Sequence, residues 1–232
     1  MAHAWHYDEG TQVGTDFLDE REVGLYDERM GRLRDMAGEA EEIRAALRLS
    51  SNSTVWEIGA GTGECALRLA AHARRVDATD ISPVMLSWAR RKAAERGIVN
   101  VRFEVGGFLS GFHPNGRVDA VVSQFALHHL PDFWKSRALA AIAGKLRSGA
   151  RFFLRDLVFP SDLGDYDPFF TMVVDGVRAR AGEAAAAATV RHIHSEFSTL
   201  DWIQEGLLER AGFRIVGRSG ESPLLAYVCE KG

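Results

Sequence analysis

Three glycines at alternate positions, in the run Val55-Trp56-Glu57-Ile58-Gly59-Ala60-Gly61-Thr62-Gly63-Glu64, do most to limit how this chain can fold. An apolar strand pattern leads straight into them and a helical pattern follows. The backbone can therefore pass close to a ligand with no Cβ in the way, and the free N–H groups of a helix N-terminus point to the same place. Such a strand, loop and helix unit suits a nucleotide-like ligand. The spacing is G-x-G-x-G, whereas a dinucleotide fingerprint needs G-x-G-x-x-G, and Glu64 holds the place of that third glycine. A carboxylate in the first helical turn repels a pyrophosphate, so the ligand expected is uncharged or cationic there.

The rest of the chain repeats the alternation. Short apolar runs at 55–58, 76–79, 101–105, 118–122 and 152–154 are separated by helical stretches at 64–73, 83–96 and 132–146. This is the pattern of βαβ units, with a parallel sheet covered on both faces. Ser82 followed by Pro83 punctuates one helix start, the serine as N-cap and the proline at the first helical position. Ahead of the sheet, 22–49 read as helix, with Leu33, Met36, Ala37, Ala40, Ile43 and Leu47 at spacings of three and four. After Leu157 the alternation stops. Residues 159–198 read as an insertion over the sheet, in which the Ala-rich run 183–189 favours helix over a mobile lid. A helix resumes at 200–211, and 213–216 with 224–229 read as an antiparallel pair turning at 220–223.

A second carboxylate can be placed by geometry. The helix from Glu64 advances about 15 Å and the strand ending at Asp80 returns about 16 Å, which brings Asp80 back beside the glycine loop. There it can accept both hydroxyls of a ribose.

Composition narrows the partners. With 232 residues and 46% hydrophobic content, the chain has core enough for one domain with an elaboration. Lys and Arg total 28 against 32 Asp and Glu, a net charge of −4, so no basic field invites nucleic acid or an anionic membrane. The two cysteines, Cys65 and Cys229, lie far apart and suggest neither a disulfide framework nor a structural zinc. A reducing, cytoplasmic setting is the plain expectation. The N-terminus lacks a basic region followed by an apolar stretch, and nowhere do about 18 apolar residues run together.

The run Glu57-Ile58-Gly59-Ala60-Gly61-Thr62-Gly63, Asp80 after it, and Asp119-Ala120-Val121-Val122-Ser123-Gln124-Phe125-Ala126-Leu127-His128-His129-Leu130 resemble, in order, the motifs of class I S-adenosylmethionine-dependent methyltransferases. The resemblance covers roughly 54–157, and Ala211-Gly212-Phe213 leading into two strands is similar to that family's ending. It implies a Rossmann-like α/β fold: seven strands, mostly parallel with an antiparallel terminal strand, and helices on both faces. An N-terminal helical cap segment (1–50) would precede the methyltransferase domain (51–232), whose insertion at about 159–198 completes the cap.

It further implies S-adenosyl-L-methionine as cofactor and a methyl group passed to a small-molecule oxygen, nitrogen or carbon nucleophile. Glu57 would face the methionine ammonium, directly or through water, while backbone at Gly59, Ala60 and Gly61 lines the methionine and ribose. Asp80 would hold the ribose hydroxyls. Ile81 and Met85 would flank the adenine, although Met85 suits ordinary helix core equally well. Ser123 and Gln124 would approach the methionine through backbone, Gln124 with or without its side chain. Tyr26, in the pair Tyr26-Asp27, would close the pocket, with Tyr7-Asp8 as the alternative pair. One departure stands out. Many members place an Asp after the third strand to read the adenine amino group, where this chain has Gly106-Gly107-Phe108. Close approach at Gly107, the Phe108 amide and apolar packing would have to serve instead.

Methyl transfer from a sulfonium depends chiefly on alignment and exclusion of water, so a base is optional. His128 is the preferred base or acceptor-orienting residue, with helix capping as its bland alternative. In the insertion, Tyr166, Phe169 and Phe170 either line the acceptor pocket or anchor the cap. His192, His194 and Glu196 share a face if extended, but such a strand is more often a solvated one, so no metal site is assigned. A nicotinamide-dependent oxidoreductase is disfavoured by the glycine spacing and the lack of a Tyr-x-x-x-Lys pair. A cofactor-binding protein without chemistry is the other rival. The acceptor is expected to be a small molecule, with no nucleic-acid or membrane partner; oligomeric state is left open.

Overall fold

The structure is a computed structural model and describes residues 4–11 and 14–232. Its centre is a sheet with strand order β3-β2-β1-β4-β5-β8-β7. These are β1 (Thr54–Ile58), β2 (Arg75–Asp80), β3 (Val101–Val105), β4 (Val118–Gln124), β5 (Leu146–Phe159), β7 (Phe213–Glu221) and β8 (Leu224–Lys231); a two-residue strand, β6 (Thr199–Leu200), pairs with the end of β5. The first five run parallel, while β8 lies antiparallel to both β5 and β7. The expected mostly parallel sheet with an antiparallel ending is present.

Burial on both faces explains why the strands read as apolar runs. In β1, Val55 joins Val76, Ala78, Ala120 and Val122 on one face. There they pack on α2 (Met36–Leu47), α3 (Glu64–Leu69) and α4 (Pro83–Glu95). Trp56 and Ile58 join Val121, Phe152 and Leu154 on the other face, against α5 (Asp132–Lys145) and α8 (Asp201–Arg210). Glu57 alternates with Trp56 and Ile58, which sends a carboxylate into the first face.

Two expectations need correction. Residues 22–49 do not form one helix: α1 (Glu20–Leu33) and α2 are separated at Arg34-Asp35. Asp35 starts the second helix by accepting hydrogen bonds from the N–H groups of Ala37 and Gly38, an N-cap that apolar spacing alone overlooks. The segment with His192 and His194 is helical rather than extended; the insertion folds as α6 (Asp167–Ala181) and α7 (Glu183–Ser195). The Ala-rich run supplies most of the first half of α7, as its propensity favours. The α1 helix packs on both α4 and α6. Among the described residues no helix is long and apolar enough to cross a membrane.

Candidate active site

Strand order reverses between β1 and β4, and in an open sheet ligands bind outside the carboxyl ends of the strands at such a point. A cavity lies there, with about 770 Å³ of non-atom space including its mouth. Its walls include Ile58, Gly59 and Gly61 from the end of β1, Asp80 and Ile81 from β2, Gly107 and Phe108 after β3, and Gln124, Phe125 and Ala126 after β4. Met85, Tyr26, His129 and Leu130 complete them, with Glu9, Thr11 and Phe17 from the N-terminal segment. The glycine turn is tight. Gly59 has φ 76°, and a Cβ there would come within 2.3 Å of the Ala126 Cβ, so this crossing of β1 and β4 admits only glycine. Beyond it Phe125, a non-glycine residue at φ 53°, turns its ring under the Arg34 guanidinium at 4.3 Å.

Asp80 stands where helix and strand lengths put it. One carboxylate oxygen accepts the Gly61 N–H at 2.7 Å and the other accepts the Ser82 N–H at 2.8 Å. Burial raises its pKa and these two N–H groups oppose the rise. The carboxylate is thereby fixed to the loop with lone pairs to spare. Ser82 caps α4 as expected, accepting from the Met85 N–H, and its hydroxyl donates to the Phe17 carbonyl.

Glu57 is 2% exposed and, among the described residues, its Oε2 has no hydrogen-bond partner. Burial pushes its carboxyl up to about 8, against the pull of hydrogen bonds from Cys65 and Ala66 and of the Arg34 charge. An uncompensated carboxyl in the core waits for a cation or holds a proton. Ser123 is fully buried, with its hydroxyl also unpartnered among the described residues. Glu57, Ala60 and Ser123 lie behind the cavity wall rather than on it.

Gln124 reaches the wall, but its Oε1 is held by Arg34 at 3.2 Å and Arg155 at 3.1 Å. Tyr26 contributes to the wall, its hydroxyl pushed up by burial. The adjoining Asp27 accepts from Thr62 in the glycine loop and pairs with Lys92 at 2.7 Å, which pins α1 over the loop. The alternative Tyr7 instead donates to the His129 carbonyl at 3.1 Å.

The region after β3 differs from expectation. The Phe108 N–H is already taken: it donates to the Glu9 carboxylate at 2.9 Å, as do the Leu109 N–H at 3.0 Å and the Ser110 hydroxyl at 2.6 Å. A Cβ on Gly107 would fall 2.5 Å from a Glu9 carboxylate oxygen. Thus the carboxylate missing at Gly107 arrives from the N-terminal segment, and a glycine leaves it room. Glu9 lies in a stretch without periodicity; the only hint of it in the sequence was the missing acid itself.

His128 does not face the cavity. Its Nδ1 is bonded to Asp156, its Nε2 lies 3.1 Å from Glu196, and its N–H donates to Asp156 at 3.0 Å. Burial alone would lower its pKa, but the two carboxylates outweigh burial and raise it to about 9. A doubly hydrogen-bonded imidazolium has no nitrogen with which to accept a proton. His129 is the histidine on the wall; burial and the neighbouring His128 charge lower it to about 4, so it is neutral. His194 is exposed, while His192 bonds Glu196 and Ser198, both at 2.7 Å. Tyr166, Phe169 and Phe170 pack on one another and on Phe159 and are absent from the cavity lining, so they anchor the cap.

Comparison with known proteins bears on the family and the fold. A family model described as a methyltransferase domain matches residues 55–149. An uncharacterized methyltransferase of Anoxybacillus flavithermus is 30% identical over 153 residues, 63% of this chain and 70% of the relative. One of Geobacillus thermodenitrificans is 27% identical over 212 residues, 88% of this chain and 91% of that one. In fold, the chain is similar to an S-adenosylmethionine-dependent methyltransferase of Clostridium acetobutylicum, with a TM-score of 0.66 over 91% of this chain and 98% of the other at 13% identity. The chain belongs to the methyltransferase family.

Proposed function

We propose that this chain binds S-adenosylmethionine in the cavity at the β1–β4 switch and passes its methyl group to a small, partly apolar acceptor. The observation that carries the reading is a pair of carboxyls on either side of the glycine turn. Asp80 is fixed and hydrogen-bond-ready for hydroxyls; Glu57 is buried with one carboxylate oxygen unpartnered among the described residues, as suits an ammonium. The Asp80 carboxylate repels a diphosphate. The sulfonium, once bound, supplies a methyl carbon that needs little activation.

The chain's own residues then bind, orient and exclude water. Asp80 accepts the ribose hydroxyls. Ile81 and Met85 sandwich the purine from α4's side, and Glu9 stands at its edge with a carboxylate able to accept an exocyclic amine. Gly59 and Gly61 let the backbone approach the methionine part, whose ammonium Glu57 attracts from behind the wall, directly or through water. Phe17, Leu130 and Ala126 make the opposite end apolar, where His129 presents a polar side chain near the place an acceptor must occupy. His128 orders the turn beneath His129 rather than meeting substrate. Nothing in the chain's charge balance offers a nucleic-acid groove.

Incubation with methyl-labelled S-adenosylmethionine and fractionated metabolite extract tests this reading. Label is expected in the small-molecule fraction. Label confined to protein or nucleic acid would overturn the acceptor class, and absence of transfer despite cofactor binding would favour a binding protein without chemistry.

A further inference from the structure

The cluster behind His129 is built more elaborately than the cofactor reading requires. His128 and His129 sit on the single turn after β4, Leu127–His129, and Glu196 follows α7 from the far side of the cap. One atom from each, a nitrogen from either histidine and a carboxylate oxygen of Glu196, converge within 4.8 Å of one another. His128 Nε2 lies 3.1 Å and His129 Nδ1 lies 3.7 Å from the same oxygen, Glu196 Oε2. Donors about 2.0–2.2 Å from a common ion stand about 3 Å or a little more apart, so small side-chain shifts close this triangle around one.

The surroundings are those of a ligand set. The second nitrogen of His128 is held by Asp156, the carboxylate-to-imidazole arrangement that orients a metal-bound histidine. Glu196 is itself steadied by His192, whose other nitrogen meets Ser198. The Phe197 N–H donates to the His128 carbonyl at 2.9 Å, which ties the two segments together beside the cluster.

We propose that His128, His129 and Glu196 bind a divalent transition-metal ion, which takes the place of the proton on His128 Nε2 as that proton leaves to solvent. Two imidazoles and one carboxylate form a borderline donor set, suited to zinc, cobalt or iron(II) rather than magnesium or calcium. Three protein ligands leave coordination positions open, and one of the three, His129, lines the cavity. The inference rests on the proposed function for the position of the acceptor, but not for the presence of the site. An acceptor hydroxyl bound at an open position releases its proton to solvent more readily. Its oxygen then forms the new bond to the methyl carbon as the carbon–sulfur bond breaks, and the sulfur leaves as a neutral thioether.

The test uses the full chain without an affinity tag, stripped by chelator and titrated with Zn²⁺ by calorimetry and with Co²⁺ by visible absorption. One ion per chain is expected, with cobalt bands of mixed nitrogen and oxygen coordination. Glu196→Gln and His129→Ala should each weaken Zn²⁺ at least 100-fold. His194→Ala, outside the cluster, should not. Asp156→Asn, a change in a positioning residue, should weaken Zn²⁺ by about tenfold while keeping the cobalt spectrum. Circular dichroism establishes that each variant is folded, and His129→Gln replaces His129→Ala if the latter is not. Lack of stoichiometric binding, or binding that survives Glu196→Gln, overturns the site. Cofactor binding by the metal-free chain is measured alongside, so a failed metal site and a failed cofactor reading give different results.

Discussion

Replacing Glu57 by glutamine should make the protein more stable and less able to bind its cofactor. Burial raises the Glu57 carboxyl from 4.5 to about 8 in the folded chain, whereas the unfolded chain returns it to solvent and an ordinary value. Below pH 4.5 both states hold the proton and Glu57 imposes no penalty. Between there and about pH 8 the unfolded chain has lost a proton that the folded chain keeps, so stability falls as pH rises; above that the loss levels off. Each pH unit in the window is worth about 1.4 kcal/mol, which makes the penalty roughly 3 kcal/mol at pH 7.

An amide is neutral throughout. Leaving its NH₂ group short of partners costs about 1 kcal/mol, so a net gain of about 2 kcal/mol is expected at pH 7. Urea unfolding of both proteins at several pH values between 5 and 8 measures this. The advantage of the variant should widen with pH, and its cofactor affinity should fall at least tenfold, about 1.4 kcal/mol, through loss of a charged acceptor. Parallel pH profiles, or a variant that binds S-adenosylmethionine like the wild type, would refute the reasoning.

Three further outcomes follow from named contacts. Asp80→Ala should weaken the cofactor at least tenfold, about 1.4 kcal/mol, by removing the acceptor of the ribose hydroxyls, and calorimetry showing unchanged affinity would contradict its placement. Glu9→Ala should weaken the cofactor and favour it less over its inosine analogue; Gly107→Asp, which crowds Glu9 in the wild type, should restore discrimination in the Glu9→Ala background, and competition binding reads both. His129→Ala should lower turnover about 100-fold with cofactor affinity kept, since the change lies at the acceptor end, and steady-state kinetics beside calorimetry separates the two.

The parts of this molecule legible in its sequence are those whose physics is local. The G-x-G-x-G loop, the strand-and-helix lengths that return Asp80 to it, and the Ser82-Pro83 helix start all depend on neighbours in sequence, and the structure has each where it was expected. The break at Asp35 was equally local, but an N-cap inside an unbroken apolar period is hidden by the period itself. What stayed hidden comes from segments far apart. Glu9 meets Phe108 across 99 residues of chain, and neither residue announces the other. His128 looked like the site histidine because it follows β4; whether a ring on a single turn points to the cavity or behind it depends on Asp156 and Glu196, which β5 and the cap bring in. The aromatic residues of α6 carry no sign of whether they line a pocket or one another.

The most direct measurement is a crystal structure of the chain soaked with S-adenosylmethionine. The ribose is expected on Asp80, the ammonium beside Glu57, the purine between Ile81 and Glu9, and the methyl carbon turned toward His129. A vacant crevice beside Gly61, or a diphosphate lying in it, would contradict the account.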